Sequence, residues 1–374
     1  MKYFLIAGEP SGDMHAATLM SEIKNNDPQA EFCYLGGDLM QAEGGKLLMH
    51  YREMAYMGIL PVLLNLRKIN HNFRFAEKNL IEFKPDILIL IDYPGFNLRM
   101  AKFAKTHHIQ TAYYISPKVW AWKTKRVYKI KKYIDHMYTI FPFETEFYKQ
   151  YNYPVIYVGN PVWDMIQKVH EKPVDAEQFR KQNKLSSKPI IALLAGSRND
   201  EINHLLPEME KVAALRPGYQ FVIAGAPGKD EIYYHNRLTT NIPVVFKQTY
   251  TLLRNSEAAI VASGTATLET ALLKIPQVVV YKMGMGWFLE TFRNVILKTD
   301  FFSLVNLVAE KEVVKELFQS QASAEMMNNE LENILNNKAY RSGIMQGYNE
   351  IIDKLHSEGA AKKAARNIVE SIKK

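Results

Sequence analysis

Along this chain, apolar residues gather into short unbroken runs separated by longer segments with helical spacing. The first half carries runs at 3–7, 32–35, 87–91, 111–115, 137–140 and 155–158, and a second series follows at 190–195, 221–224, 243–246, 258–262 and 277–281. Continuous rather than alternating runs predict parallel strands covered on both faces, and the amphipathic segments between them predict crossover helices. The expected fold class is therefore α/β, with two tandem Rossmann-like domains and a cleft between them. The pattern pauses at Gly159-Asn160-Pro161, and the polar stretch 167–188, with Pro173 and Ser186-Ser187, predicts a linker. The expected division is 1–165, 185–340 and a set of C-terminal helices at 341–374 that return to the first domain. No short-period repeat interrupts this scheme, which excludes a solenoid.

In open α/β sheets ligands bind outside the carboxyl ends of the strands. The loops with unusual chemistry all follow strands: Gly8-Glu9-Pro10-Ser11-Gly12-Asp13, Asp92-Tyr93-Pro94-Gly95-Phe96-Asn97, Ser116-Pro117-Lys118-Val119-Trp120-Ala121-Trp122, Gly196-Ser197-Arg198 and Ser263-Gly264-Thr265. If the two sheets face each other, all five converge on one cleft. In the last loop Gly264 allows close backbone approach, Ser263 and Thr265 are capping residue types, and the N–H groups of the following helix suit a phosphate. Glu269, one turn further on, is placed to accept hydrogen bonds from sugar hydroxyls. An ordinary βαβ crossover is the other reading of this stretch. Arg198 offers a planar fork of donors to a diphosphate, or a helix-end salt bridge. Asp92 ends an apolar strand and serves either as a general base of raised pKa or as a strand-ending Asx turn. Residue types alone do not choose between these. Asn97 reads as an N-cap, and His15, one turn into the first helix, as a rival base or a structural hydrogen-bonder. Glu9, Ser11, Gly12, Asp13, His15, Asn97 and Trp120 are the further candidates for lining the cleft.

Several chemistries are disfavoured. There is no Gly-x-Gly-x-x-Gly with a ribose-binding acid and no Gly-x-x-x-x-Gly-Lys-Ser/Thr, against NAD binding and P-loop hydrolysis. No Cys/His cluster suggests zinc, and no Asp-x-Asp pair suggests a magnesium clamp. Neither metal nor cofactor is expected, since Arg198 and the helix start after Gly264 suffice in principle for a leaving diphosphate.

Composition narrows the setting. At 374 residues the chain exceeds the ~250–300 at which one core stops growing, in keeping with two domains. A single cysteine, Cys33, favours a reducing cytoplasm. The apolar start runs into Gly8-Glu9-Pro10 rather than a cleavage site, and no apolar run approaches the ~20 residues of a membrane span. The net charge of +8 points to anionic partners: nucleic acid, nucleotide phosphates or acidic lipids. The stretch 56–67 is unusually apolar and is followed by Lys68, His71 and Arg74, while Lys123, Lys125, Arg126, Lys129, Lys131 and Lys132 form a second basic cluster. An anionic membrane surface or an acyl-chain pocket suits both, and a core helix with a solvated basic face is the alternative.

Taken in order, Ala-Gly-Glu-Pro-Ser-Gly-Asp near the start, Ile-Asp-Tyr-Pro-Gly-Phe-Asn at 91–97, Ser-Pro-Lys-Val-Trp-Ala-Trp at 116–122, Gly-Ser-Arg at 196–198, Ala-Ser-Gly-Thr-Ala-Thr-Leu-Glu at 262–269 and Ser-Leu-Val-Asn-Leu at 303–307 resemble the lipid-A-disaccharide synthase family. The resemblance runs to about residue 320. It implies an inverting glycosyltransferase of the B-type two-Rossmann fold, whose first domain binds the acceptor and whose second binds the UDP-sugar. The implied reaction moves 2,3-diacylglucosamine from UDP-2,3-diacylglucosamine to 2,3-diacylglucosamine 1-phosphate (lipid X), giving a β-1,6 disaccharide and UDP. It also implies Asp92 as base, Arg198 and Asn306 in donor binding or turnover, and Glu269 at the ribose. The implied place is the cytoplasmic face of a Gram-negative inner membrane, peripheral on anionic lipids, with no nucleic-acid partner and a homodimer left open. Lys282 stands where an arginine is common, and Pro10 and Lys118 where other members have small residues. Two other readings are a UDP-sugar epimerase of the same fold, which has no need of the apolar stretch at 56–74, and a non-catalytic nucleic-acid or membrane-binding protein, which leaves five strand-end loops unexplained.

Overall fold

The computed structural model describes residues 1–54, 66–120, 124–171, 173–284, 300–357 and 359–373. The chain divides into two compact units, Met1–Pro161 with Ser357–Lys374, and Val162–His356.

In the first unit the strands are β1 (Lys2–Ala7), β2 (Glu31–Gly36), β3 (Lys46–His50), β4 (Ile87–Ile91), β5 (Gln110–Tyr114), β6 (His136–Thr139) and β7 (Ile156–Tyr157). They form one parallel sheet in the order β3-β2-β1-β4-β5-β6-β7. Helices α1 (Pro10–Asn26), α2 (Asp38–Ala42), α3 (Leu66–Phe83), α4 (Pro94–Thr106), α5 (Arg126–Tyr133) and α6 (Pro142–Lys149) connect them. The predicted runs became strands because β1 and β4 are apolar at every position facing either layer: Tyr3–Ala7 and Ile87–Ile91 are wholly buried. The Lys-Leu-Leu-Met-His strand β3 escapes the apolar pattern because it is an edge strand, exposed or half-buried along its length.

The second unit repeats the topology. Strands β8 (Ile190–Leu194), β9 (Gln220–Gly225), β10 (Val244–Phe246), β11 (Ser256–Ala262), β12 (Gln277–Tyr281) and β13 (Glu316–Phe318) are parallel in the order β10-β9-β8-β11-β12-β13. Its helices are α7 (Pro161–His170), α8 (Ala176–Gln182), α9 (Asn199–Leu215), α10 (Glu231–His235), α11 (Thr249–Arg254), α12 (Thr265–Leu272), α13 (Leu304–Ala309), α14 (Ala324–Asn336) and α15 (Lys338–Leu355), and α16 (Ala360–Ile372) belongs to the first unit.

Two boundaries differ from expectation. The polar stretch 167–188 is not a free tether: α7 buries Val162, Trp163 and Ile166, and α8 is capped by Asp175, which accepts from Gln178 N at 2.9 Å, and anchored by buried Phe179. Nor do all the helices beyond 341 return to the first unit. α15 buries Ile344, Gly347, Tyr348 and Ile351 against α12, α13 and α14, and only α16 crosses back to pack on α1. The stretch 56–65 and the residues Trp122 and Lys123, on which much of the membrane expectation rests, lie outside the described residues.

Candidate active site

The strand order of the first unit reverses direction between β1 and β4, so the loops after Ala7 and Ile91 open at a topological switch point. Gly8 is required there, since a Cβ would stand 2.3 Å from the Tyr93 ring. Asp92 and Tyr93 both take left-handed backbone, at φ 43 and 47. Such residues cost roughly 1–3 kcal/mol each and persist only where neighbours hold them. Asn97 Nδ2 donates to the carbonyls of Ile91 at 3.1 Å and Asp92 at 2.7 Å, and the buried Tyr113 hydroxyl donates to the same Asp92 carbonyl. Burial pushes the Asp92 carboxyl above the usual aspartate range, opposed by the charge of Lys118 and a hydrogen bond from the Tyr93 backbone. Asp92 therefore stands at a strand end with a raised pKa, as a base requires.

The other candidates for lining the cleft separate. Ser11 is exposed and Glu9 half-buried, in the turn that starts α1. Gly12 is packed on Ala7 and Ile91. Asp13 is structural: its buried carboxylate accepts from Gly37 N at 2.8 Å, Leu39 N at 3.0 Å and Met40 N at 3.1 Å, closing the start of α2. Asn97 is no N-cap, because Tyr93 occupies that position and Asn97 lies wholly buried one turn into α4. His15 is partly buried, and desolvation pushes its imidazole down to about 4. Trp120 is also turned to structure, with Nε1 donating to Glu144 Oε1 at 3.2 Å.

Glu144 and Tyr113 are the residues that sequence reasoning missed. Glu144, at the start of α6, also accepts from Ile140 N and Phe141 N at 3.0 Å, and burial raises its carboxyl to about 7. The Phe-Pro-Phe-Glu sequence at 141–144 carries a signal for helix-start capping, but none for burial against Trp120.

In the second unit the reversal falls between β8 and β11, which brings the Gly196-Ser197-Arg198 and Ser263-Gly264-Thr265 turns to neighbouring strand ends. Gly196 has φ 100, and a Cβ there would meet Glu201 Oε2 at 2.4 Å. That carboxylate accepts from Ser197 N at 3.3 Å and Arg198 N at 3.4 Å, so those two N–H groups are already engaged. Among the described residues the Arg198 guanidinium makes only a long 3.5 Å pair with Glu201, and it stays 61% exposed. At the other turn, Gly264 has open space where a Cβ would go and heads α12 without a side-chain cap. The expected capping by Ser263 and Thr265 does not occur: Ser263 Oγ donates to Phe302 O at 3.1 Å, and Thr265 is exposed. Glu269 is raised to about 7 by burial, with the Tyr250 hydroxyl pulling the other way.

Asn306 serves the second unit's own loop. It is fully buried, its Nδ2 donates to Val314 O at 2.8 Å and Glu316 Oε1 at 3.0 Å, and its Oδ1 accepts from Val313 N at 2.8 Å and Val314 N at 3.0 Å. With every donor and acceptor spent on the loop before β13, it has none left for a sugar nucleotide.

A cavity of about 670 Å³ is lined by Pro173, Phe179, Gln182, Gln248 and Thr251. Among the described residues no group of three or more His, Cys, Asp or Glu side chains is placed to hold a metal ion, and no helix is long and apolar enough to cross a membrane.

The sequence family described as Lipid-A-disaccharide synthetase matches residues 3–370. The chain belongs to this family. It is similar to the lipid-A-disaccharide synthases of Myxococcus xanthus (strain DK1622), 37% identical over 99% of this chain and 97% of that protein, and Coxiella burnetii (strain CbuG_Q212), 36% identical over 97% of this chain and 96% of that protein. Membership makes it a glycosyltransferase of lipid A biosynthesis. Its fold is shared with the UDP-GlcNAc 2-epimerase of Neisseria meningitidis bound to UDP-GlcNAc, at TM-score 0.67, 13% identity and coverage of 100% and 99% of the two chains. It is shared too with the calicheamicin glycosyltransferase CalG4, at TM-score 0.61, 15% identity and coverage of 99% and 98%. At such identities the likeness carries the two-Rossmann fold alone, and the family match disfavours the epimerase and non-catalytic readings.

Proposed function

We propose that the chain transfers 2,3-diacylglucosamine from UDP-2,3-diacylglucosamine to the 6-hydroxyl of 2,3-diacylglucosamine 1-phosphate with inversion, releasing UDP. Asp92 takes the acceptor proton. The observation that carries this reading is its carboxyl, made basic by burial at the β4 end and fixed there by Asn97 and Tyr113 through the left-handed backbone. Arg198 and the uncapped start of α12 at Gly264 meet the diphosphate of the donor, and Glu269 accepts from its ribose. The leaving diphosphate is neutralised by these groups, with no metal in the scheme.

The reaction takes place at the cytoplasmic face of the inner membrane, where basic residues of α5 such as Lys129 and Lys132, both exposed, meet anionic headgroups. Purified protein given the acylated UDP-sugar and the phosphorylated acceptor should form a disaccharide detectable by mass spectrometry. UDP release without disaccharide, or C2 epimerisation of the donor, would sink this reading.

A further inference from the structure

The loop after β5 carries a cation with no role so far. Within 115–120 every residue is buried except Lys118, which is exposed. The loop is fixed from several sides. Ile115, a β-branched residue, is held at φ 68, with its N–H donating to Tyr138 O at 3.2 Å. Ser116 Oγ lies 2.8 Å from the Tyr148 hydroxyl, and Trp120 is tied to Glu144, so one helix, α6, pins the loop on both flanks of Lys118. Strain of this kind in a non-glycine residue marks a place whose geometry matters.

The ammonium acts on the carboxyls of Asp92 and Glu144. Among the described residues no carboxylate comes within ion-pairing distance of it. β4 and β5 are adjacent and in register, Ile91 against Tyr114. Neighbouring strands lie about 4.8 Å apart, so their ends are separated on the scale of a sugar ring. An acceptor with a hydroxyl at one end of its ring and a phosphate at the other can span a base at one strand end and a flexible cation in the loop that follows the next. An ammonium on a flexible stem is a point charge suited to a phosphate monoester.

We propose that Lys118 binds the phosphate of the acceptor sugar and thereby sets its hydroxyl at Asp92. The assignment rests on the proposed reaction and adds to it a specificity determinant: the enzyme selects a phosphorylated over an unphosphorylated acceptor through one loop cation.

The test compares the unaltered enzyme, Lys118→Ala and Lys118→Arg in detergent micelles, with diacylglucosamine 1-phosphate and with the same sugar lacking the phosphate. The alanine variant should raise KM for the phosphorylated acceptor about tenfold or more, on the scale of a charged hydrogen bond, and erase most of the preference between the two acceptors. Arginine should restore it in part. Lys118 also bears on Asp92, so its removal should move the acid limb of the pH profile upward, but equally for both acceptors. An unchanged preference in Lys118→Ala, with circular dichroism showing a folded protein, overturns the proposal and leaves only that field effect. A loss seen with phosphatidylglycerol vesicles but absent in micelles also overturns it, assigning the lysine to lipid headgroups. Transfer to neither acceptor by the unaltered enzyme would instead refute the proposed reaction itself.

Discussion

Asp92 is held in a backbone conformation that few side chains tolerate by Asn97 and Tyr113, which bond its carbonyl rather than its carboxyl. Asparagine is among the residues that enter the left-handed region readily. Asp92→Asn should therefore fold normally and bind UDP as before while turnover falls about 10²–10⁴-fold, the usual scale of general-base loss. The sign with pH follows from the raised carboxyl. A base must be ionised, so turnover should fall as pH drops through a value above the ordinary aspartate range. Stability runs the other way for this group: a carboxyl raised in the folded state favours folding in acid and loses that contribution as pH rises through the window. His15, lowered to about 4, has the opposite sign and costs stability as pH falls from about 6.5. His15→Ala is the matched control and should keep most turnover. A pH profile unmoved in Asp92→Asn, with His15→Ala inactive, would exchange the two roles. The strand-end position of Asp92 was legible because it follows from the apolar run before it. Glu144 and Tyr113 were not, because their importance comes from tertiary burial, which no local spacing announces.

At the level of elements, the two turns after β8 and β11 divide the work differently from what their residue types suggest. Capping residues flank Gly264, yet the start of α12 is left uncapped, while the start of α9 is closed by Glu201. In the proposed reaction the diphosphate therefore depends on the Arg198 side chain more than on the backbone beside it. Arg198→Ala should weaken UDP binding by about 1.5–3 kcal/mol as a lost charged hydrogen bond, toward the lower end given the exposed side chain, measured by calorimetry. Transfer should also persist in excess EDTA, and rescue of a chelated, inactive enzyme by magnesium would refute the metal-free scheme. Asn306 gives a contrasting expectation. Its alanine variant strands two backbone N–H groups and a carbonyl and takes one donor from the Glu316 carboxylate, a loss of about 2–4 kcal/mol in denaturant unfolding. Intact UDP affinity in the folded fraction would confirm the architectural role. The Ser-Leu-Val-Asn-Leu motif was visible in the sequence, but its function was not, since an asparagine that binds ligand and one that binds its own loop look alike in one dimension.

For the whole molecule, both parallel sheets were readable because their central strands are apolar throughout, whereas the edge strand β3 and the short β13 were not. The final helix is the feature with the widest effect. α16 buries Ala360, Ala361, Ala364, Ala365, Ile368 and Val369, and packs on α1, the helix that begins beside the first strand-end loop. Removing residues 357–374 should cost the first unit about 3–6 kcal/mol from Ile368 and Val369 alone, seen as an early unfolding transition while the second unit melts as before. A single unchanged transition would contradict this. The same helix sets an order of birth. The residues that finish the first unit are translated after the whole of the second, and at bacterial elongation speeds the roughly 195 residues from Val162 to His356 take about 10–40 s to make. Through that interval a nascent first unit waits on the ribosome with the α16-facing side of α1 bare, so the unit begun first is the one completed last.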